Sequence, residues 1–209
     1  MVVGALTIVV IAPWTVRNWR VSGSPVLIST NAGVNFYIGH SPQASGAGRI
    51  IDELVFRYPE LPQAEAEAKI NNDGFREGIE YAAKHPLREV VLSAKKVWWL
   101  YYRDDEALRW TDAHGEHPFL SDNTRTTLAV ISNVYYWLLI ALAVAGVRRW
   151  FSLRDPARLL LASVAAYWTL VHIAFFADPR FHAPLAPLLC VWAACLIDTL
   201  TRRVQPDRV

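Results

Sequence analysis

Cysteine is scarce in this chain of 209 residues. The two present, Cys190 and Cys195, are five positions apart in the last apolar run. On a helix they would point to different faces, so we expect no disulfide between them. The polar segment 14–125 has no cysteine, which excludes a disulfide framework there.

The sequence also lacks the common signatures of soluble catalytic sites. No set of His, Cys, Asp and Glu has metal-ligand spacing, and there is neither a phosphate-cradling glycine-rich loop nor a serine-nucleophile motif. We therefore expect no metal and no cofactor. The net charge is only +2, and no Lys/Arg-rich run alternates with aromatics, so nucleic acid is not an expected partner.

Long apolar runs are what the sequence does contain. A helix needs about 20 mostly apolar residues to cross a bilayer. The runs 128–147 and 159–177 meet this length, and 183–200 nearly does, with Pro184 and Pro187 in its first turns, where proline is tolerated. These runs predict an all-α integral membrane fold in contact with the lipid bilayer.

The N-terminal apolar run is too short to cross a membrane by itself. Residues 1–12 are apolar apart from Thr7, but a span needs about twice that length. A signal peptide would have a basic start and a small-residue cleavage site, and neither is present. We expect a partial membrane helix (1–13) and a chain that forms the C-terminal part of a longer protein.

Arginine placement predicts the orientation. The segment between the apolar runs 128–147 and 159–177 and the tail after residue 200 are both positive, and positive segments stay cytoplasmic. Their arginines are Arg148, Arg149, Arg154, Arg158, Arg202, Arg203 and Arg208. We expect a multi-pass membrane protein with both termini cytoplasmic. The predicted segments are a partial helix (1–13), an extracytoplasmic segment (14–125), membrane helices (126–147, 159–177 and 183–200), a cytoplasmic loop (148–158), an extracytoplasmic turn (178–182) and a cytoplasmic tail (201–209).

The extracytoplasmic segment is predicted to contain loops and amphipathic helices. Residues 14–49 are expected to be mostly loop, with a short strand-like run at 25–28 and a tight turn around Gly33. Residues 63–84 favour a helix that ends at His85, and Pro86 opens the next helix. That next helix lies either along the membrane surface or against its own domain. The acids Asp104, Asp105 and Glu106 after it look like a solvated helix end.

Two sequence blocks resemble a known family. The first is Ala12-Pro13-Trp14-Thr15-Val16-Arg17-Asn18-Trp19 with the later Ile28-Ser29-Thr30-Asn31-Ala32-Gly33-Val34-Asn35-Phe36-Tyr37-Ile38-Gly39; the second is Pro179-Arg180-Phe181-His182-Ala183-Pro184-Leu185-Ala186-Pro187. Both resemble the C-terminal part of bacterial polytopic glycosyltransferases of the GT-C superfamily, in the protein-mannosyltransferase-like and aminoarabinose-transferase-like group.

The resemblance implies a transferase in the bacterial inner (plasma) membrane that moves a sugar from a polyprenyl-phosphate carrier to an acceptor outside the cytoplasm. Sugar transfer of this kind needs a carboxylate as general base, and the family's catalytic acid falls in an earlier loop, upstream of this chain. We therefore expect the chain by itself to be inactive. The identity of the sugar, the acceptor and the carrier length do not follow from the sequence.

Three basic residues are candidates for binding the carrier phosphate. Arg180 and His182 stand at the predicted outer end of a membrane helix, and Arg17 closes the first helix on the same side. A guanidinium offers a planar fork that suits phosphate oxygens. The alternative roles are interfacial anchoring for both arginines and loop capping for His182.

Two other function classes compete with the transferase. A non-enzymatic membrane subunit or scaffold, whose outer segment binds a partner, fits the same pattern of spans. A transporter fits less well because the spans lack paired intramembrane charges. His172 lies alone in the middle of a span, where we expect a neutral imidazole hydrogen-bonded to a neighbouring helix.

Overall fold

The computed structural model describes residues 2–49, 51–113 and 119–204. Within these ranges the chain is helical and contains no β-strand, so the all-α class is confirmed. The helices are α1 (Val2–Ser22), α2 (Ala32–Gly39), α3 (Asp52–Val55), α4 (Gln63–Lys84), α5 (Pro86–Tyr101), α6 (Glu106–Leu108), α7 (Asp122–Trp150), α8 (Pro156–Ala174) and α9 (Ala186–Val204). A π-helical turn (Arg109–Ala113) follows α6, and a 3-10 segment (Pro179–Leu185) leads into α9.

Four segments are long and apolar enough to cross a membrane. They are α1, α7, α8 and the continuous stretch Pro179–Thr201. Their large apolar side chains are mostly exposed, as in Val10, Leu138 and Leu160. Since exposed apolar surface of this extent is favourable only in lipid or against other apolar helices, the chain is a multi-pass membrane protein.

The first helix is longer than the sequence predicted. It extends beyond the predicted partial membrane helix (1–13) and past Arg17, which was expected to close it, and runs through Pro13 to Ser22, a total of 21 residues. Proline inside a helix costs one backbone hydrogen bond, and here the helix tolerates it. Gly23 ends α1 in a left-handed conformation (φ 67°), and its N–H donates to the Trp19 carbonyl (2.9 Å), as in an αL helix terminus.

The segment after α1, residues 25–28, was expected to be strand-like and is not a strand. It runs back along α1, whose side chains bond its carbonyls. Trp14 Nε1 donates to the Ile28 carbonyl (3.1 Å), Thr15 Oγ1 to that of Leu27 (2.8 Å) and Asn18 Nδ2 to that of Val26 (3.4 Å). This return segment therefore has helix side chains as partners instead of a neighbouring strand.

The described residues form two compact units. Unit 1 is Met1–Lys96 with Ile173–Phe176, and unit 2 is Val97–His172 with Ala177–Val209. Unit 1 has a small core built on Ile38, Leu54 and Ile70, from α2, α3 and α4. The predicted helix at 63–84 is confirmed as α4, and the predicted helix from Pro86 as α5.

Gly33 lies in α2, and not in the tight turn that the sequence suggested. A Cβ on Gly33 would lie 1.8 Å from the Asn71 carbonyl oxygen, and one on Gly74 would lie 2.4 Å from the Gly33 carbonyl oxygen. Asn71 Oδ1 also accepts a hydrogen bond from the Gly33 N–H (2.7 Å). These two glycines are needed for the close approach of α2 to α4, because any side chain there would collide with backbone.

In unit 2, α7 and α9 pack side by side. Their contact contains Tyr136 and Ala143 from α7 and Leu189 and Trp192 from α9. A Cβ on Gly146 would lie 1.8 Å from the Trp192 carbonyl oxygen, so the two backbones meet at that point. Residue numbers along the contact rise together on both helices, from Tyr136 near His182 to Gly146 near Trp192. This makes α7 and α9 parallel, as a single intervening span, α8, requires.

Candidate functional site

The turn that carries Arg180 and His182 is fixed by its own sequence. Asp178 has an extended backbone and caps the 3-10 segment, because its carboxylate accepts a hydrogen bond from the Arg180 N–H (3.1 Å). Pro179 takes the first position, where a missing N–H costs little. The turn therefore leads directly into α9 with both candidate residues at the helix entrance.

Arg180 has an accessible guanidinium at this entrance. Its side chain is 56% exposed, and its Nε lies 3.4 Å from the Asp178 carboxylate. The guanidinium lies near the rings of Trp110 (5.9 Å to the ring centre) and Phe181 (5.3 Å). Aromatic rings beside a cation are typical of the membrane–water interface, the depth at which lipid phosphates lie.

His182 is placed differently, since its side chain is only 3% exposed. Nδ1 lies 2.9 Å from the Leu100 carbonyl, and Nε2 lies 3.1 Å from Asp104 Oδ1. Its ring stacks on Tyr136 at 4.5 Å. Because both partners are hydrogen-bond acceptors, satisfying both contacts takes a proton on each ring nitrogen, or one on Asp104.

Asp104 is thereby held between His182 and α7. Its backbone N–H donates to Asn133 Oδ1 (2.8 Å), and Ser132 Oγ donates to its carbonyl (2.7 Å). The carboxylate itself remains about half exposed. Ser132 and Asn133, two polar interruptions of an apolar run, thus dock the acidic segment onto the membrane helix.

Asp105 does not belong to a solvated helix end, which corrects the expectation from the sequence. It is 7% exposed and forms a close ion pair with Arg103. Burial alone would raise the pKa of Asp105, but the hydrogen bonds from Arg103 outweigh burial and hold that pKa below its ordinary value. The Asp105 carboxylate therefore serves a structural ion pair with Arg103.

Asp112 is a second carboxylate in a structural ion pair. It is fully buried, and it accepts hydrogen bonds from Arg125 Nε (2.6 Å) and from the backbone N–H groups of Phe119 (2.9 Å) and Leu120 (3.0 Å). Burial would raise the pKa of Asp112, but Arg125 and the two N–H donors lower it below its ordinary value. Asp112 thus anchors the residues just before α7.

A cavity of about 550 Å³ adjoins the acidic segment in unit 2. It lies between residues 104–108 and α7, and its walls are mostly apolar, with Leu108, Leu128, Ile131 and Tyr135 among them. Asp104 and Ser132 supply its polar edge. Such a cavity suits a molecule that has an apolar body and a hydroxyl or other hydrogen-bond donor.

Arg17 belongs to unit 1, in a smaller pocket of about 270 Å³. Its guanidinium lies 4.9 Å from the ring centre of Trp14, and Nη1 donates to Asn18 Oδ1 (3.2 Å). Thr30 and Glu67 form the other side of the pocket and are hydrogen-bonded to each other (3.1 Å). The pocket therefore presents both a cation and a carboxylate.

Arg180 and His182 are thus brought together in unit 2, while Arg17 lies in unit 1. The convergence of all three on one phosphate stays a prediction. Sequence reasoning missed the partners of His182, since Leu100 and Asp104 lie about 80 positions before it in the chain. One signal was available for part of this arrangement: the polar pair Ser132-Asn133 near the start of an apolar run, which bonds the backbone of Asp104.

Comparisons with known proteins add no relative. No family model, no curated protein and no solved structure matches this chain. Among the described residues, no group of three or more His, Cys, Asp and Glu side chains could hold a metal ion. The site must be interpreted from its own chemistry.

Proposed function

We propose that this chain is the C-terminal part of a polytopic membrane glycosyltransferase, one that moves a sugar from a polyprenyl-phosphate carrier to an acceptor outside the cytoplasm. The observation that carries the proposal is the Arg180 guanidinium. It is exposed, it is flanked by aromatic rings, and it stands at the entrance of a membrane-spanning segment. The sequence resemblance to GT-C glycosyltransferases points to the same chemistry.

Arg180 binds the carrier phosphate in this proposal. Arginine pairs with phosphate oxygens through two parallel N–H donors. The Arg180 side chain is more than half exposed, and its contact with Asp178 is long for an ion pair, at 3.4 Å, so a phosphate can approach the guanidinium. The prenyl chain then lies along the exposed apolar surface of the spans. Arg17 offers a second cation in the pocket of unit 1.

His182 supports the site indirectly in this proposal. Both ring nitrogens already contact acceptors, so direct phosphate binding by His182 requires the release of Leu100 or Asp104. Its role while these contacts persist is to hold the Asp104 carboxylate at the edge of the 550 Å³ cavity. That carboxylate is positioned to accept hydrogen bonds from hydroxyls of the sugar or the acceptor, while the catalytic base comes from the earlier part of the protein.

Carrier binding is the direct test of this function. The purified chain in nanodiscs is titrated with a polyprenyl phosphate and, separately, with the corresponding polyprenol. We expect saturable binding of the phosphate and at least tenfold weaker binding of the alcohol, since one charge-assisted interaction is worth about 1.5–3 kcal/mol. Equal affinity for the two lipids would show that the phosphate is not recognised and would contradict the proposal.

The proposed topology places the site on the extracytoplasmic side of the bacterial plasma membrane. Single cysteines at Glu60 and at Ser152, in a background without Cys190 and Cys195, should react differently with a membrane-impermeant thiol reagent. We expect position 60 to be labelled in intact cells and position 152 only after lysis, because arginine-rich loops stay cytoplasmic. The reverse pattern would invert the topology and remove Arg180 from the proposed side.

A further inference from the structure

Within unit 1, helix α5 has an exposed apolar row, which we call the stripe: Leu87, Val90, Val91 and Ala94. These positions recur at the spacing that places side chains on one face of a helix. Leu87 is 83% exposed and Val91 54%, and Val90 and Ala94 are exposed as well. Single exposed apolar side chains are common, but a continuous apolar row indicates a surface that contacts something other than water.

The opposite face of α5 packs against the rest of unit 1 and contains charged groups. Leu92 and Lys96 are buried there. Glu89 Oε2 lies 2.7 Å from His40 Nδ1, and Lys96 Nζ lies 3.2 Å from His40 Nε2. A helix that faces water has its apolar residues on the packed side and its polar residues outside. In α5 the exposed side is the apolar one, and such a surface is favourable in contact with lipid.

Helix α4, in the same unit, provides a comparison. Its exposed side chains are mostly polar or charged, and among them are Glu65, Glu67, Asn72, Arg76 and Glu80. This is the composition of a surface in contact with water. The two long helices of unit 1 outside the membrane-spanning α1 therefore differ in their exposed faces, and only that of α5 suits an apolar environment.

A hydrogen bond places α5 beside the end of a membrane-spanning helix. Lys96 Nζ donates to the Ile173 carbonyl (2.9 Å), which lies in the last turn of α8. Helix α8 has 19 residues and therefore rises about 28 Å, close to the thickness of about 30 Å of the hydrocarbon core. The last turn of such a span lies near the boundary between hydrocarbon and headgroups, so α5 reaches that boundary at Lys96.

The chemistry of the stripe favours lipid over a protein partner. The centres of protein–protein interfaces are enriched in tryptophan, tyrosine and arginine, whereas the stripe consists of leucine, valine and alanine. Lys95 follows the stripe directly and is exposed. Its aliphatic stem can lie along acyl chains while its ammonium group extends to headgroup phosphates. An aliphatic row with a lysine beside it is typical of helices that lie in the membrane interface.

We propose that the stripe of α5 contacts the bilayer at the boundary between headgroups and acyl chains, with Lys95 directed to the lipid phosphates. The buried face holds α5 to unit 1 at the same time. The two positions that the sequence left open for this helix, along the membrane surface or against its own domain, then describe its opposite faces. This proposal concerns lipid contact and does not depend on the transferase function.

Collisions of a spin label with two paramagnetic reagents test the proposal. Leu87→Cys, Val91→Cys and Ala94→Cys are made one at a time in the full chain, with both native cysteines replaced, and each is spin-labelled. The protein is reconstituted in liposomes of phosphatidylcholine and phosphatidylglycerol. Oxygen concentrates in the hydrocarbon, whereas a charged nickel chelate stays in water. We expect oxygen to relax the label more strongly than nickel at all three positions, because the stripe contacts acyl chains.

Labels on α1 and α4 calibrate this measurement. Val10→Cys, at an exposed position of the membrane-spanning α1, gives the value for lipid. Glu80→Cys, on the polar surface of α4, gives the value for water. Ile79→Cys is the matched control for Val91→Cys, because Ile79 is also aliphatic and is 58% exposed, but has charged neighbours on α4. We expect the nickel chelate to be the stronger reagent at both positions of α4.

Two results would overturn the proposal. Stronger relaxation by nickel than by oxygen at positions 87, 91 and 94, as at position 80, would place the stripe in water. Weak collisions with both reagents at these three positions would show that protein covers the stripe, either a second copy of the chain or another part of it. Because every label stands at an exposed position, the substitutions leave the packed face of α5 unchanged.

Discussion

Arg180→Ala in the complete protein should weaken binding of the sugar-linked polyprenyl-phosphate carrier by roughly ten- to a hundredfold. A hydrogen bond to a charged group is typically worth about 1.5–3 kcal/mol, and the substitution removes the fork that makes it. The stability of the fold should change little, because the side chain is more than half exposed and has one 3.4 Å ion contact. Carrier affinity in nanodiscs, measured beside the thermal unfolding midpoint, separates the two effects.

Two further variants make this measurement specific. Arg180→Lys keeps the charge but not the fork, so it should restore only part of the affinity. Arg154→Ala removes an exposed arginine from the loop between α7 and α8, at the other end of α7, and should leave the affinity unchanged. If Arg180→Ala binds the carrier as well as the parent does, Arg180 is an interfacial anchor and the phosphate is held elsewhere.

Gly146→Ala should destabilise unit 2 although alanine is the better helix former. The new Cβ would lie 1.8 Å from the Trp192 carbonyl oxygen and 3.4 Å from the Leu196 Cβ, so α7 and α9 would have to move apart. Overpacking typically costs about 1–3 kcal/mol. A 1.8 Å contact with a backbone oxygen belongs at the upper end of that range, above the gain of about 1 kcal/mol from helix propensity. Gly146→Leu should be worse, since its larger side chain needs a wider separation.

Gly4→Ala is the matched control for this substitution. Gly4 also lies in a membrane-spanning helix, and a Cβ there meets nothing within 4 Å. Its unfolding midpoint should stay the same or rise slightly. Thermal unfolding in the same detergent compares the two variants with the parent. Equal midpoints for Gly146→Ala and Gly4→Ala would mean that α7 and α9 are not in backbone contact.

Apolar runs and proline positions were enough to predict much of the helical architecture. The helix at 63–84 was predicted with the bounds that α4 has, because His85-Pro86 is a strong terminator. The sequence predicted α1 and α2 poorly, for a common reason. Pro13 and the Asn/Gly-rich stretch around Gly33 are local signals for a break or a turn, and packing overrides them. Gly33 serves the close contact with α4, which no local pattern encodes.

The candidate site was predictable only in part. Arg180 stands where its position at a helix entrance suggested. Contacts within unit 2 decide the rest. They bury His182 and place it against Asp104, and they leave Asp105 buried in an ion pair with Arg103. Residues nearly 80 positions apart meet there, and a single sequence contains no local trace of that pairing.

The return segment along α1 implies that hydrophobicity is the wrong guide to mutational tolerance at the end of that helix. Thr15 and Asn18 are polar residues in a membrane-spanning helix, and a scan ranked by hydropathy would favour leucine at both positions. Leucine there would leave the carbonyls of Leu27 and Val26 without their donors. In an apolar environment, a carbonyl without a hydrogen-bond donor destabilises the folded state. Related sequences should therefore vary freely at Gly4 and Ile8, while residues 15 and 18 change only together with the backbone that they hold.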